Sequence, residues 1–188
     1  KLLKEAADKG YKPAQETLER KSKDNSFGEQ KLQEYQNNYK ETGDIRILRT
    51  LASFYVSLKK YDLAEKTYLQ LIELENYQPD YASLAQMYDY KTQNYENAIK
   101  YYKLAIEKIS NKTQKFDARD YWVRIGDMYF LQNNFVEAEK AYKNSMAFKH
   151  PTDDKTYERN MLIEIYKSQG RTEEMKKLEK QNKSWWNN

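Results

Sequence analysis

Leu51-Ala52-Ser53-Phe54-Tyr55 is a frame that returns twice, as Leu84-Ala85-Gln86-Met87-Tyr88 and as Ile125-Gly126-Asp127-Met128-Tyr129. Each copy is followed by an aromatic residue, an alanine and a second aromatic: Tyr61, Ala64 and Tyr68; Tyr95, Ala98 and Tyr102; Phe135, Ala138 and Tyr142. Self-similarity on this scale marks a repeat solenoid, because a single helical pair cannot cover its own apolar face and stacks on the next pair to do so. The spacing inside a copy is helical, with Leu48, Leu51, Ala52 and Tyr55 on one stripe and Ala64, Tyr68, Leu71 and Ile72 on another. Small residues at Ala52, Ala85 and Gly126, and at Ala64, Ala98 and Ala138, allow two helices to approach closely beside the bulkier tyrosines.

Working outward, 34 residues separate Ala64 from Ala98 and 40 separate Ala98 from Ala138. The surplus is placed in the polar stretch Ser110 to Lys115, which lengthens a connection and leaves the packing positions in phase. Lys59-Lys60, Thr92-Gln93-Asn94 and Gln132-Asn133-Asn134 are polar and suit short turns between antiparallel helices. The expected fold is therefore all-α, an α-solenoid of antiparallel helix pairs.

This pattern resembles the tetratricopeptide repeat. The third copy carries the resemblance most fully, with Trp122, Ile125, Gly126, Tyr129, Phe135, Ala138, Tyr142 and Pro151 at or near the family's places. Leu71 and Ser145 stand where the family has a second-helix alanine, and the first copy ends at Asn76 without a proline. A fourth, degenerate copy is read from Leu162, Ile163, Tyr166, Gly170 and Met175 and is expected to cap the array. At the other end, Ala6-Ala7, Gly10, Ala14 and Leu18 resemble part of a Sel1-like repeat. A polar turn is expected at Lys21 to Ser26, then a partner helix from Phe27 to Tyr39 ended by Gly43-Asp44. The resemblance implies a right-handed superhelix forming one continuous array. Residues 1–44 would be the Sel1-like or degenerate helices, 45–77, 78–118, 119–155 and 156–183 the four repeats, and 184–188 a tail. A start at Lys1, without Met and inside a helical pattern, is expected of a fragment of a longer protein.

Composition narrows the function. Of 188 residues, 39% are hydrophobic against about 45–50% in average globular chains. An elongated repeat array, with more surface per residue than a sphere, accounts for that shortfall. The 18 tyrosines supply large apolar rings whose hydroxyls can stay wet. The 33 basic and 29 acidic residues are spread evenly along the chain, and without a concentrated basic patch no nucleic-acid partner is expected. Cysteine is absent, and no apolar run approaches the ~20 residues of a membrane span.

No enzyme is expected. His150, the single histidine, lies before Pro151 and has no converging partners in the sequence. The pairs Asp153-Asp154 and Glu173-Glu174 stand where helices begin, and acidic residues there are favoured by the helix dipole. The five glycines form no phosphate-cradling loop, and no cofactor, metal or catalytic residue is assigned. Trp185-Trp186 is read as a lid over the last helix in preference to an exposed aromatic hook.

In the resembled family the first helix of every pair lines the inner face and supplies the ligand contacts. The resemblance places them at Arg46, Arg49, Ser53, Val56 and Ser57; at Pro79, Ala82, Gln86, Asp89 and Tyr90; and at Asp120, Val123, Asp127, Phe130 and Leu131. Arg46 and Arg49 suit forked bonds to an acidic group, while Tyr90, Phe130 and Leu131 suit apolar side chains. The family's clamp for acidic chaperone tails corresponds to Arg49, Ser53, Ser83, Asp120 and Arg124; only the arginines agree, and Asp120 would repel the carboxylate. The expected function is a non-enzymatic scaffold that binds a protein or peptide segment in the concave groove. Two alternatives accompany it. The combination of Sel1-like and tetratricopeptide units resembles bacterial envelope assembly scaffolds for pili, secretion or exopolysaccharide export, which favours periplasm or cell envelope over cytoplasm. Exposed tyrosines could instead bind a polysaccharide.

Overall fold

The computed structural model describes residues 1–109, 115–148 and 154–186. Among these residues ten α-helices follow in order: α1 Leu2–Asp8, α2 Lys12–Thr42, α3 Ile45–Ser57, α4 Tyr61–Glu75, α5 Gln78–Met87, α6 Tyr95–Glu107, α7 Lys115–Leu131, α8 Phe135–Met146, α9 Thr156–Ser168 and α10 Thr172–Trp186. No strand occurs among the described residues. The chain divides into two compact units, Lys1–Glu75 and Asn76–Asn188. Within each unit a helix packs on its neighbours in sequence, so the architecture is an α-solenoid of helix pairs.

In the first unit α1 pairs with α2, α2 with α3 and α3 with α4. The turn expected at Lys21 to Ser26 is not there: α2 is one unbroken helix of 31 residues. That segment holds neither Gly nor Pro, and Lys, Ser and Asp are ordinary on a solvated helical face, so polarity alone did not break the helix. The glycine that does lie in α2, Gly28, is buried, and a Cβ there would stand 3.1 Å from Leu58 Cδ2. It admits the end of α3 rather than ending α2. Gly43, at φ 64°, terminates the helix, with its N–H donating to the Tyr39 carbonyl at 2.8 Å. Asp44 then caps α3 by accepting from the Arg46 N–H at 2.8 Å.

In the second unit α5 pairs with α6, α6 packs on α7, α7 pairs with α8, α8 packs on α9, and α9 pairs with α10. The alanine frame behaves as its spacing requires: Ala85, Ala98 and Ala138 are fully buried, as are Ala52 and Ala64 in the first unit. Gly126 is the tightest contact, since a Cβ on it would lie 2.7 Å from the Tyr142 ring. Leu71 and Ser145, which stand where the resembled family has alanine, are also fully buried. In the fourth pair, Leu162, Ile165 and Tyr166 join Ala138 and Tyr142 in one cluster, with Met175 and Leu178 packed against it.

The hairpin turns repeat at atomic detail. Lys59, Gln93, Asn133 and Gly170 all have positive φ, from 53° to 69°. The residue after each, Lys60, Asn94, Asn134 or Arg171, donates its N–H to the carbonyl of the frame tyrosine, Tyr55, Tyr88, Tyr129 or Tyr166, at 2.8–2.9 Å. Asn94 and Asn134 then cap the next helix by accepting from Asn97 N–H and Glu137 N–H. One copy differs. From frame tyrosine to positive-φ residue is four positions in three copies and five in the second, where α5 widens into a π turn over Tyr88–Thr92 to absorb the extra residue.

The polar insertion at Ser110 to Gln114, His150-Pro151, Asp153 and the Trp185-Trp186 side chains lie outside the described residues. Asp154, just before α9, accepts from the Thr156 N–H at 2.8 Å, and that backbone bond holds its carboxyl below the ordinary range. Glu173 and Glu174 occupy the first turn of α10, as the dipole favours.

Candidate functional site

The π turn delivers Asp89 and Tyr90 to the side of α7. Asp89 is buried, and its two carboxylate oxygens accept from Arg124 Nε and Nη2 at 2.9 and 3.0 Å. Arg124 Nη1 also donates to Asp127 at 3.0 Å, and its guanidinium lies 4.6 Å from the Tyr90 ring centre. Each carboxylate then accepts a hydrogen bond from a tyrosine in the second helix of its own pair: Tyr102 donates to Asp89 at 3.4 Å and Tyr142 to Asp127 at 2.8 Å. Tyr157, at the start of α9, donates to the same Asp127 oxygen at 2.7 Å. One arginine thus ties α5, α7 and, through Asp127, α9 together.

The electrostatics favour the observed protonation. Burial raises the pKa of Tyr102, Tyr142 and Tyr157 and the neighbouring aspartates raise it further, so all three phenols remain donors. Burial opposes the charge on Arg124, but its bonds to Asp89 more than offset that and raise its pKa. The network is a charged, hydrogen-bonded brace. Tyr90 rests on it with 57% of its surface exposed.

Beside the brace is a cavity of about 430 Å³ lined by Gln86, Tyr90, Tyr102, Asp117, Asp120, Tyr121, Val123 and Arg124. Tyr102 and Tyr121 stack on each other in its wall, with ring centres 5.3 Å apart. The Tyr121 hydroxyl accepts from Gln78 Nε2 at 3.0 Å. Among the described residues no group of three or more Asp, Glu, His or Cys is arranged to hold a metal, and no helix is long and apolar enough to cross a membrane.

The expected contact residues fall into distinct settings. In the first unit Arg46 is exposed and paired with its own cap, Asp44, at 2.6 Å; Arg49 is half-buried and bonded to Glu75; Ser53 is exposed and bonded to the Thr50 carbonyl at 2.9 Å. In the second unit Gln86 and Tyr90 open onto the cavity with Arg124. Asp89 and Asp127 point into the brace, Ala82 is buried, Phe130 packs edge-on against Phe135 at 5.5 Å, and Leu131 is 64% exposed at the end of α7. Sequence reasoning missed Tyr102, Tyr121, Tyr142 and Tyr157 as parts of this site. A signal existed: Tyr88 to Tyr95 is seven residues where Tyr55 to Tyr61 and Tyr129 to Phe135 are six, which locates the inserted residue beside Asp89.

Helix pairs with this frame and these turns form a helical repeat protein, and the comparisons agree. The tetratricopeptide repeat model matches residues 45–77 and 81–107, which supports a protein-interaction scaffold. Two crystal structures of MamA are similar in fold. One aligns over 89% of this chain and 96% of its own at 16% identity and a TM-score of 0.61, the other over 86% and 84% at 17% and 0.62. BtubC (BKLC) from P. vanneervenii aligns over 93% of this chain and 76% of its own, with 16% identity and a TM-score of 0.60. No curated protein matches at a significant level.

Proposed function

We propose that the chain is a non-enzymatic scaffold that holds an extended or helical segment of a partner protein against the faces of α5 and α7 in its second unit. The observation that carries this reading is Tyr90, an exposed aromatic side chain whose position is fixed by the Asp89–Arg124 pair at the edge of a cavity. Exposed rings cost hydration, and rings held rigid lose little entropy on binding, which is why tyrosine and arginine dominate the energetics of protein interfaces. Gln86 offers an amide for main-chain hydrogen bonds, and Leu131 offers apolar surface near the end of α7. The phenols and carboxylates of the brace are spent on each other, which is a structural use.

Selection from a random displayed-peptide library against the purified chain tests this. Recovered peptides should lose at least tenfold in affinity for Tyr90→Ala, the scale of a modest interface hot spot. Lys9→Ala, at an exposed site in the first unit, should leave binding unchanged. Peptides indifferent to Tyr90→Ala would place binding elsewhere.

A further inference from the structure

The cavity's charge and its rings together specify a ligand chemistry. Asp117 and Asp120 are exposed at its edge, three residues apart on one face of α7, and among the described residues neither has an ion-pair partner. Among the described residues of the lining the one cation, Arg124, is already shared between Asp89 and Asp127, so these residues and the brace carry more negative than positive formal charge. The dipole at the start of α7 suits Asp117 in the first turn, but Asp120 lies beyond that turn and gains little from it. Both charges are felt inside the cavity: after burial itself and against the Gln78 bond, they contribute to the raised pKa of the Tyr121 phenol. Tyrosine rings complete the walls. Tyr90 has one face under Arg124 and more than half its surface open, and ring faces attract cations.

We propose that this cavity receives the cationic side chain of a lysine or arginine on the partner segment, with Asp117 and Asp120 pairing the charge and Tyr90 and Tyr121 packing its aliphatic stem. The proposal rests on the protein-binding reading above and adds the partner's chemistry to it. An acidic side chain meets the opposite conditions: two carboxylates face it, and the one arginine among the described lining residues is occupied. Long basic side chains combine an apolar stem with a charged tip, which suits a site of ring walls and an acidic edge.

The test uses the same random peptide library with three forms of the full chain: wild type, Asp117→Asn/Asp120→Asn, and Tyr90→Ala. Both aspartates are exposed, so the double variant should keep its helical signal by circular dichroism. Recovered peptides should be enriched in Lys or Arg. Their affinity for the double variant should fall about twofold to thirtyfold, the range for two exposed charge pairs, and should weaken with added salt. Peptides that depend on Tyr90 but show no basic enrichment, or bind the double variant equally well, would overturn this inference and leave the groove reading standing. Enrichment of Asp or Glu would overturn it outright. Recovery of no peptide, or of peptides indifferent to Tyr90→Ala, would sink both.

Discussion

Gly126→Ala should destabilise the protein although it improves helix propensity. In an open helix the change would gain about 1 kcal/mol. Here the new Cβ would stand 2.7, 2.8 and 2.9 Å from three atoms of the Tyr142 ring, where carbon atoms pack comfortably at about 3.5–4.0 Å. The ring must retreat by about 1 Å, yet it is fully buried and its hydroxyl is bonded to Asp127. Overpacking of this degree costs about 1–3 kcal/mol. Loss of a hydrogen bond to a charged acceptor adds about 1.5–3 kcal/mol. Set against the propensity gain, the net loss is about 1.5–5 kcal/mol, or roughly 3–20 °C in Tm for a chain of this size. Thermal and urea melts followed by circular dichroism would measure it. The same substitution in a Tyr142→Leu background should be neutral or stabilising, because the ring that it strikes is gone. A wild-type background in which Gly126→Ala raises Tm would refute the close helix approach.

Arg124→Leu should cost about 2–4 kcal/mol by urea denaturation, since it leaves the buried Asp89 carboxylate with only a long Tyr102 bond, and adding Asp89→Asn should restore much of the loss. Tyr142→Phe should cost about 1.5–3 kcal/mol while Tyr102→Phe costs close to none, because their hydroxyls stand 2.8 and 3.4 Å from their acceptors; equal costs would contradict the geometry. Glu139 gives a pH signature. Burial works against its charge, but Arg171 at 2.5 Å, Lys143 at 2.6 Å and Tyr166 at 3.1 Å outweigh that and lower its pKa to about 2. Its stabilising contribution is therefore complete above the ordinary value of 4.5 and is lost as pH falls from there toward 2. Glu139→Gln should flatten the acid limb of the Tm profile in that window, and an unchanged limb would remove Glu139 from the account.

Residues that pack were legible in the sequence, because burial imposes periodicity. The buried alanines and tyrosines recur at fixed intervals, and the polar triplets between them became turns with the same φ sign. Lys21 to Ser26 misled because a helix exposed on most of its surface has no apolar period to display, and polarity looks the same in a turn and on a solvated face. The site was harder to read for a different reason. Family positions place Asp89 outward, but one inserted residue widens α5 into a π turn, and Asp89 is buried against Arg124. Nor does spacing say that Tyr142 and Tyr157 will share one carboxylate, since that requires α7, α8 and α9 to be placed in three dimensions.

The central claim is that a protein segment binds the α5–α7 face beside Tyr90. Amide chemical shifts of the isotope-labelled chain, recorded while a library-selected peptide is titrated in, test it most directly. Saturable changes should cluster at Gln86, Tyr90, Asp120, Val123 and Arg124 and be reduced in Tyr90→Ala. Changes confined to α8 and α10, or to the first unit, would contradict it.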